Sequence, residues 1–484
     1  MWRAALADHK KLMLLSGTVA FLAMFQMGYS ASYPNTSFHA FKAFINNSYV
    51  ERGRPLTEEE FNWLWALILN TDLIAFLIGS WLCPPMVEKF GRKTGLLGGN
   101  LIKLIAGSLM IISIKCHSTE LLAAGRMISG LGDGLAASSL TLFLQETSPT
   151  NIRGLVSGFQ ELSISFATLI GVLFGLPYVF GSSLATLVGL SAVPNAALIF
   201  ILMFCPDTPK YLYVEKKDKL GAIAAVTFYH GVDRDEAIDV ISELDKEHEG
   251  EQHCRTTFRE VFSSRHLRKA VLLGSAACIF QIVANIPITF YSTEFLRRAG
   301  VSAWGAEMAS LGMMVLNCVA TLLSMNFVDK CGRRHLLLGF GFLNIVALVM
   351  YSIFAELSSQ MPWTKYGCIT ALFAFSFTYS VGLGPVPWYL TAELSPQMHR
   401  SFIQSIAISS STVAGMTTGL LTLPLYGYMN ATSFFPLFIV PSLLCLIYLY
   451  RQLPETKNKE IYEIVRELRG GSSDSDSCLG VNML

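Results

Sequence analysis

Arginines and carboxylates recur in this chain at matched positions where they could pair. Arg92, in Phe90-Gly91-Arg92-Lys93, returns as Arg333 in Cys331-Gly332-Arg333-Arg334. Glu146, in Glu146-Thr147-Ser148-Pro149 with Arg153 following, returns as Glu393 in Glu393-Leu394-Ser395-Pro396 with Arg400 following. Asp207, in Pro206-Asp207-Thr208, returns as Glu455 in Pro454-Glu455-Thr456. The three offsets are 241, 247 and 248 residues, so two halves of nearly equal length carry the same charged words in the same order. That is the signature of a parallel internal repeat. Arginine–carboxylate pairs are strong and directional, and a pair at a helix end can exist in one arrangement of the halves and break in another. Arg92, Glu146, Arg153 and Asp207, with Arg333, Glu393, Arg400 and Glu455, therefore read as a latch, one set per half.

A second group of polar residues lies inside apolar runs. Asp72, Lys103, Asp133 and Glu161 are charges deep in such runs, where each alone would cost at least about 2.5 kcal/mol. Lys103 can neutralise Asp133 or Asp72, which leaves one acid free to take a proton. Gln281 and Asn285 are four residues apart and share a helix face. Asn317 and Gln26 are further deep amides, of the kind that bind hydroxyls or join helices. The chain has no phosphate-cradling glycine loop and no Ser/His/Asp set outside the apolar runs, so no enzyme chemistry and no cofactor is implied. Ten cysteines without paired spacing give no metal site and no structural disulfide. A net charge of +1 gives no reason to expect a nucleic-acid partner.

The elements that must position these groups follow from hydropathy. With 52% apolar and only 15% charged residues, the chain is an integral membrane protein whose partner is the lipid bilayer. Crossing about 30 Å of hydrocarbon takes about 20 apolar residues. Twelve such spans are expected near 12–33, 62–85, 94–114, 121–144, 155–177, 184–204, 270–291, 305–327, 335–355, 366–390, 401–423 and 432–450. The fold class is thus all-α, two six-helix bundles at 1–205 and 270–450, with a helical insert at 206–269 and a tail at 451–484. Lys89, Arg92, Lys93, Arg153, Lys330, Arg333, Arg334 and Arg400 gather on one side, which makes that side, with both termini, cytoplasmic. The opposite side holds loop 34–61 and its Asn46-Asn47-Ser48 glycosylation acceptor. In the insert, Ile238, Ile241 and Leu244 predict an amphipathic helix in a small bundle over the pore mouth. Residues 460–469 predict another helix docking on the same side.

The words Gly91-Arg92-Lys93, Gly125-Arg126 through Glu146, Pro206-Asp207-Thr208-Pro209-Lys210, Phe290-Tyr291-Ser292-Thr293, Asp329 through Arg334, Gly384-Pro385-Val386-Pro387-Trp388 with Glu393, and Pro454-Glu455-Thr456-Lys457 stand in this order along the chain. Together they resemble the sugar porter family of the major facilitator superfamily, and within it the animal facilitative hexose transporters. The resemblance implies alternating access about a mid-membrane site between the two halves. It also implies that spans seven and ten hold and gate the substrate. Gly382, Gly384, Pro385 and Pro387 can break span ten, and Pro287 can bend span seven.

At the pocket the resemblance weakens. The family's span-five glutamine falls on Glu161, its glutamine pair on Phe280-Gln281, and its span-seven asparagine on Ile286. Asn317 and Trp388 match, while the span-ten glutamate falls on Ser380 and the span-eleven asparagine on Ser411. Gln281, Asn285, Asn317, Trp388, Glu161, Ser380, Ser411 and Gln26 are the candidate binding residues. The expected function is passive uniport of a hexose or related polyol, in a plasma membrane. A proton-coupled symporter, a non-transporting sugar sensor and a carrier of another organic solute stay open. Proton-linked members carry an acid in span one facing an arginine in span four, and span one here has no acid.

Overall fold

The computed structural model describes residues 10–149, 152–251, 258–394 and 400–456. Among them every regular element is helical. Twelve helices are long and apolar enough to cross a membrane: Lys10–Thr36, Glu58–Phe90, Arg92–Lys115, Thr119–Thr147, Leu155–Phe174 and Leu184–Met203, then Arg265–Arg298, Ala303–Ser324, Arg333–Leu357, Thr364–Leu383, Phe402–Ser433 and Phe435–Gln452. They are spans one to twelve. Several outrun the expected segments because their polar first and last turns project past the hydrocarbon. Span two starts at a capping box, in which the Glu60 N–H donates to Thr57 Oγ1 at 3.2 Å and the Thr57 N–H donates to Glu60 Oε2 at 2.9 Å.

The repeat is built into the turn after span two and after span eight. Gly91 and Gly332 sit at φ of 99° and 85°, a region that side chains avoid, and reverse the chain in a single residue. In each half an acid from beyond the sixth span caps the next helix: Asp207 Oδ1 accepts the Lys93 N–H at 3.2 Å, and Glu455 Oε1 accepts the Arg333 N–H at 3.0 Å. A carboxylate at a helix N-terminus satisfies free donors and meets the positive end of the dipole.

Three segments differ from expectation. Between spans one and two lies a helix, Phe38–Glu51, whose Phe38, Phe41, Phe44 and Ile45 are buried, with Ser48 Oγ donating to the His117 carbonyl at 2.5 Å. Asn46 lies on that helix. Span seven continues through Pro287 without interruption, from Arg265 to Arg298. In the insert, helices Pro209–Val214, Lys219–His230 and Arg234–Glu251 do form a bundle, but its packed stripe is Ala237, Val240 and Ile241 against Ala222, Ile223 and Val226. Ile238 is 39% exposed. Ile241 packs as expected, while the place expected for Ile238 is taken by Ala237, which carries little hydrophobic signal and is fully buried. The side chain of Leu244 and the whole of 460–469 lie outside the described residues.

The charges buried on spans two, three and four are paired. Lys103 of span three, fully buried, lies 3.5 Å from Asp133 of span four and donates to the Ala23 carbonyl of span one at 2.8 Å. Asp72 of span two, expected to be either paired to Lys103 or free, instead meets Arg126 of span four at 2.5 Å, and Ser30 of span one donates to it at 3.4 Å. Helix approach makes these pairs close. A methyl group at Gly130 would overlap the Asp72 carbonyl oxygen, and one at Gly79 the Leu131 carbonyl oxygen.

The halves meet along three seams. Ser165 of span five lies 3.5 Å from Thr321 of span eight, and Trp81 of span two donates to Ser409 of span eleven at 3.0 Å. At the face away from the termini, Asn35 of span one donates to Ser292 Oγ at 2.7 Å and accepts the Thr293 N–H at 3.0 Å, so that one fully buried amide holds span seven twice. On the same face a cavity of about 430 Å3 is lined in part by Glu58, Glu59, Glu294, Arg298 and Tyr428.

Two predictions follow from these contacts. Lys103→Met, which strands Asp133, should destabilise the detergent-solubilised protein by about 3–5 kcal/mol, whereas Lys103→Met with Asp133→Leu should recover most of that loss in thermal unfolding. Equal losses in the single and double variants would contradict the pairing. Asn35→Ala should free the clamped face: spin labels at exposed Val50 and Trp304 should gain a longer-distance population, by up to about tenfold for a loss of about 1.4 kcal/mol. An unchanged distance distribution would show that the clamp does not set the closure.

Candidate functional site

The latch residues pair within their own halves. Arg92 Nε donates to Glu146 Oε1 at 3.0 Å and Thr208 Oγ1 to Glu146 Oε2 at 2.5 Å, while the guanidinium lies over the Tyr211 ring at 5.4 Å. In the second half Arg333 Nε donates to Glu393 Oε1 at 3.2 Å, and His335 Nδ1 lies 3.1 Å from Glu455 Oε2. Each cluster ties the third and fourth spans of a half to the segment after its sixth. Asp207 and Glu455 join as helix caps. The side chains of Arg153 and Arg400 lie outside the described residues.

In the middle of the bundle, the α-helix of span ten gives out after Thr378. Residues Tyr379–Leu383 form a wider π-type turn, closed by the Gly384 N–H donating to the Tyr379 carbonyl at 2.8 Å, and helix resumes at Val386–Glu393. Pro385 and Pro387 cannot donate, and Gly382 and Gly384 relax the backbone, so the break falls where the residue types placed it. Irregular backbone at this depth is tolerated where protein or a cavity covers it.

Two predicted residues converge on this break from different halves. Gln281 of span seven, buried, donates its amide to the Gly384 carbonyl at 2.6 Å and lies within hydrogen-bonding reach of the Tyr379 hydroxyl. Glu161 of span five faces the same residue: a methyl group built at Gly384 would touch Glu161 Oε1 at 3.8 Å. Tyr379 shares the electrostatic environment of that carboxyl group. Ser165, one turn from Glu161, takes up the Cys318 thiol, at 3.3 Å from its carbonyl, and Cys318 adjoins Asn317. Ser165 also lies 3.5 Å from Thr321, one turn along span eight from Asn317, so the faces of spans five and eight that carry Glu161 and Asn317 are apposed. Asn285 stands one turn along span seven from Gln281, half-buried like Asn317.

Other candidates are placed differently. Ser380 and Ser411 are buried, but each hydroxyl donates to its own helix, to Ser376 O and Ile408 O at 2.8 Å. Gln26 donates to Ser129 of span four at 3.2 Å and ties two helices of the first half. The Trp388 side chain lies outside the described residues. Sequence reasoning missed Tyr379 and the Asn35 clamp. Tyr379 adjoins Ser380 in the glycine- and proline-rich segment, which was the available signal. Nothing local to Asn35 foretold contact with a residue 257 positions away.

Comparison with known proteins gives a consistent result. The family model described as sugar (and other) transporter matches residues 16–468. The chain is 31% identical over 476 residues to the facilitated glucose transporter member 1 of solute carrier family 2 from Gallus gallus, covering 96% of this chain and 95% of that protein. It is 28% identical to the member 3 transporter of Canis lupus familiaris, covering 95% and 93%. In fold it resembles the inward-open xylose transporter XylE from E. coli, at a TM-score of 0.76 and 19% identity, over 93% of this chain and 99% of that one. The proton:xylose symporter XylE bound to 6-bromo-6-deoxy-D-glucose gives 0.75 at 18% identity, over 94% and 99%. The twelve membrane helices, the duplicated charged words and the family match over residues 16–468 lead to one conclusion: this chain belongs to the sugar (and other) transporter family, and is an integral membrane transporter and not an enzyme.

Proposed function

We propose that this protein is a facilitative uniporter of a hexose or related polyol, working by alternating access of its two halves about the opened turn of span ten. The observation that carries the proposal is the convergence of Glu161 from the first half and Gln281 from the second on Gly384. A solute seated there touches both halves and stabilises whichever arrangement closes around it. Asn285 and Asn317 bring amides that both donate and accept, as hydroxyl recognition requires. The glucose transporters named above support a sugar as cargo. The basic clusters support cytoplasmic termini and a plasma-membrane protein, with the Asn35 clamp on the external face. Asn46 is proposed as glycosylated on that face, its acceptor read by the machinery before helix Phe38–Glu51 docks.

One observation favours a second reading, proton-coupled symport. Arg126 of span four does face a carboxylate, Asp72, supplied by span two where span one was expected to supply it. The two readings separate in liposomes holding the purified protein. Labelled glucose, fructose and a neutral polyol are offered with and without an inward proton gradient. The uniport reading expects saturable uptake indifferent to the gradient. Uptake that rises with the gradient and loses that response in Asp72→Asn would replace it with symport. Absence of uptake for all three solutes would remove the hexose reading.

A further inference from the structure

We propose that Glu161 makes this a binding site for hexoses that carry a protonated amine, in preference to the neutral sugars; this rests on the transport reading above. The argument is a census of donors and acceptors around the break in span ten. The Ser380 and Ser411 hydroxyl protons are occupied by backbone carbonyls of their own helices. The Gln281 amide has an N–H occupied by Gly384 O. What these groups leave is weighted to acceptors, the Gln281 carbonyl oxygen and the Glu161 carboxylate, while the second Gln281 N–H lies within reach of the Tyr379 hydroxyl. An ammonium group, with three donors and no acceptor, is matched to such a surface.

Charge points the same way. The other acids embedded in the first half have cations: Asp72 has Arg126 and Asp133 has Lys103. Glu161, half-buried, has no ion pair and no hydrogen bond among the described residues. A carboxylate at membrane depth without a countercharge is costly, and a cationic ligand supplies that charge. The Tyr379 ring, stacked on Phe375 at 6.2 Å, adds an aromatic group beside it, and aromatic faces attract ammonium. The sugar hydroxyls are left to Asn285 and Asn317.

The test is competition. Inhibition of labelled glucose uptake by glucose and by its 2-amino, 3-amino and 6-amino derivatives is measured in proteoliposomes, below the pKa of the amines. At least one amino-hexose should compete about tenfold better than glucose, as expected for one charge-assisted hydrogen bond. Glu161→Gln should bring that ratio to within about twofold of unity, and Glu161→Asp should preserve the preference. Amine transport should also respond to a negative-inside membrane potential, and glucose transport should not. Equal competition by all four sugars in the wild type, or a preference that survives in Glu161→Gln, would overturn the proposal. Failure of the transport reading looks different, since no hexose moves at all. Thermal stabilisation of the purified wild-type and Glu161→Gln proteins by the same four sugars then decides the matter: selective stabilisation of the wild type by an amine supports the proposal, and its absence overturns it.

Discussion

The constraint from which the rest follows is that a polar group placed in hydrocarbon must find a partner inside the protein. Lys103 finds Asp133 and the Ala23 carbonyl, and Arg126 finds Asp72 and the Ile68 carbonyl. Many serines and threonines of the spans return protons to their own helices, as Ser380 does to Ser376, and others donate across to a neighbour, as Ser376 does to the Met313 carbonyl. These internal solutions fix which helices touch. They also make one exception conspicuous, Glu161, which stands without a counterion beside the opened turn of span ten.

The same constraint explains how the two halves can be built alike and still join. On the face that bears the termini, each half closes its own charged cluster, with an acid capping the helix after a reversed glycine. On the opposite face the halves are joined by the neutral, directional clamp of Asn35 on Ser292 and Thr293. Charges thus brace each half from within, while short uncharged contacts join the two. A neutral contact carries little desolvation penalty when broken, which suits a surface that must open repeatedly.

Most of the architecture was legible before any coordinates. The spans declare themselves through hydropathy, the duplication through the charged words, and the break in span ten through Gly382, Gly384, Pro385 and Pro387. What escaped depends on distance through space. Lys103 could be assigned to either of two acids because the rotation of spans two, three and four about each other is set by glycine contacts such as Gly130 against Asp72, which a linear pattern does not encode. One position of the insert stripe was misplaced because Ala237 packs by being small. At the pocket, matching gave the positions of Glu161, Ser380 and Ser411 but could not tell that the serines return their protons to the backbone, which decides what a ligand must offer.

The opened turn at Tyr379–Leu383 has a counterpart in the first half that is not opened: span four runs as one helix from Thr119 to Thr147. Between the first and second charged words, the second half also holds six more residues than the first, the difference between the offsets of 247 and 241. The duplication has therefore diverged in stiffness. One body is a glycine-locked block and the other contains an internal joint. The place where the second half gives up its regular helix is thus also the place where the residues of both halves converge, so a substitution at 379–384 would alter the joint and the lining of the site together.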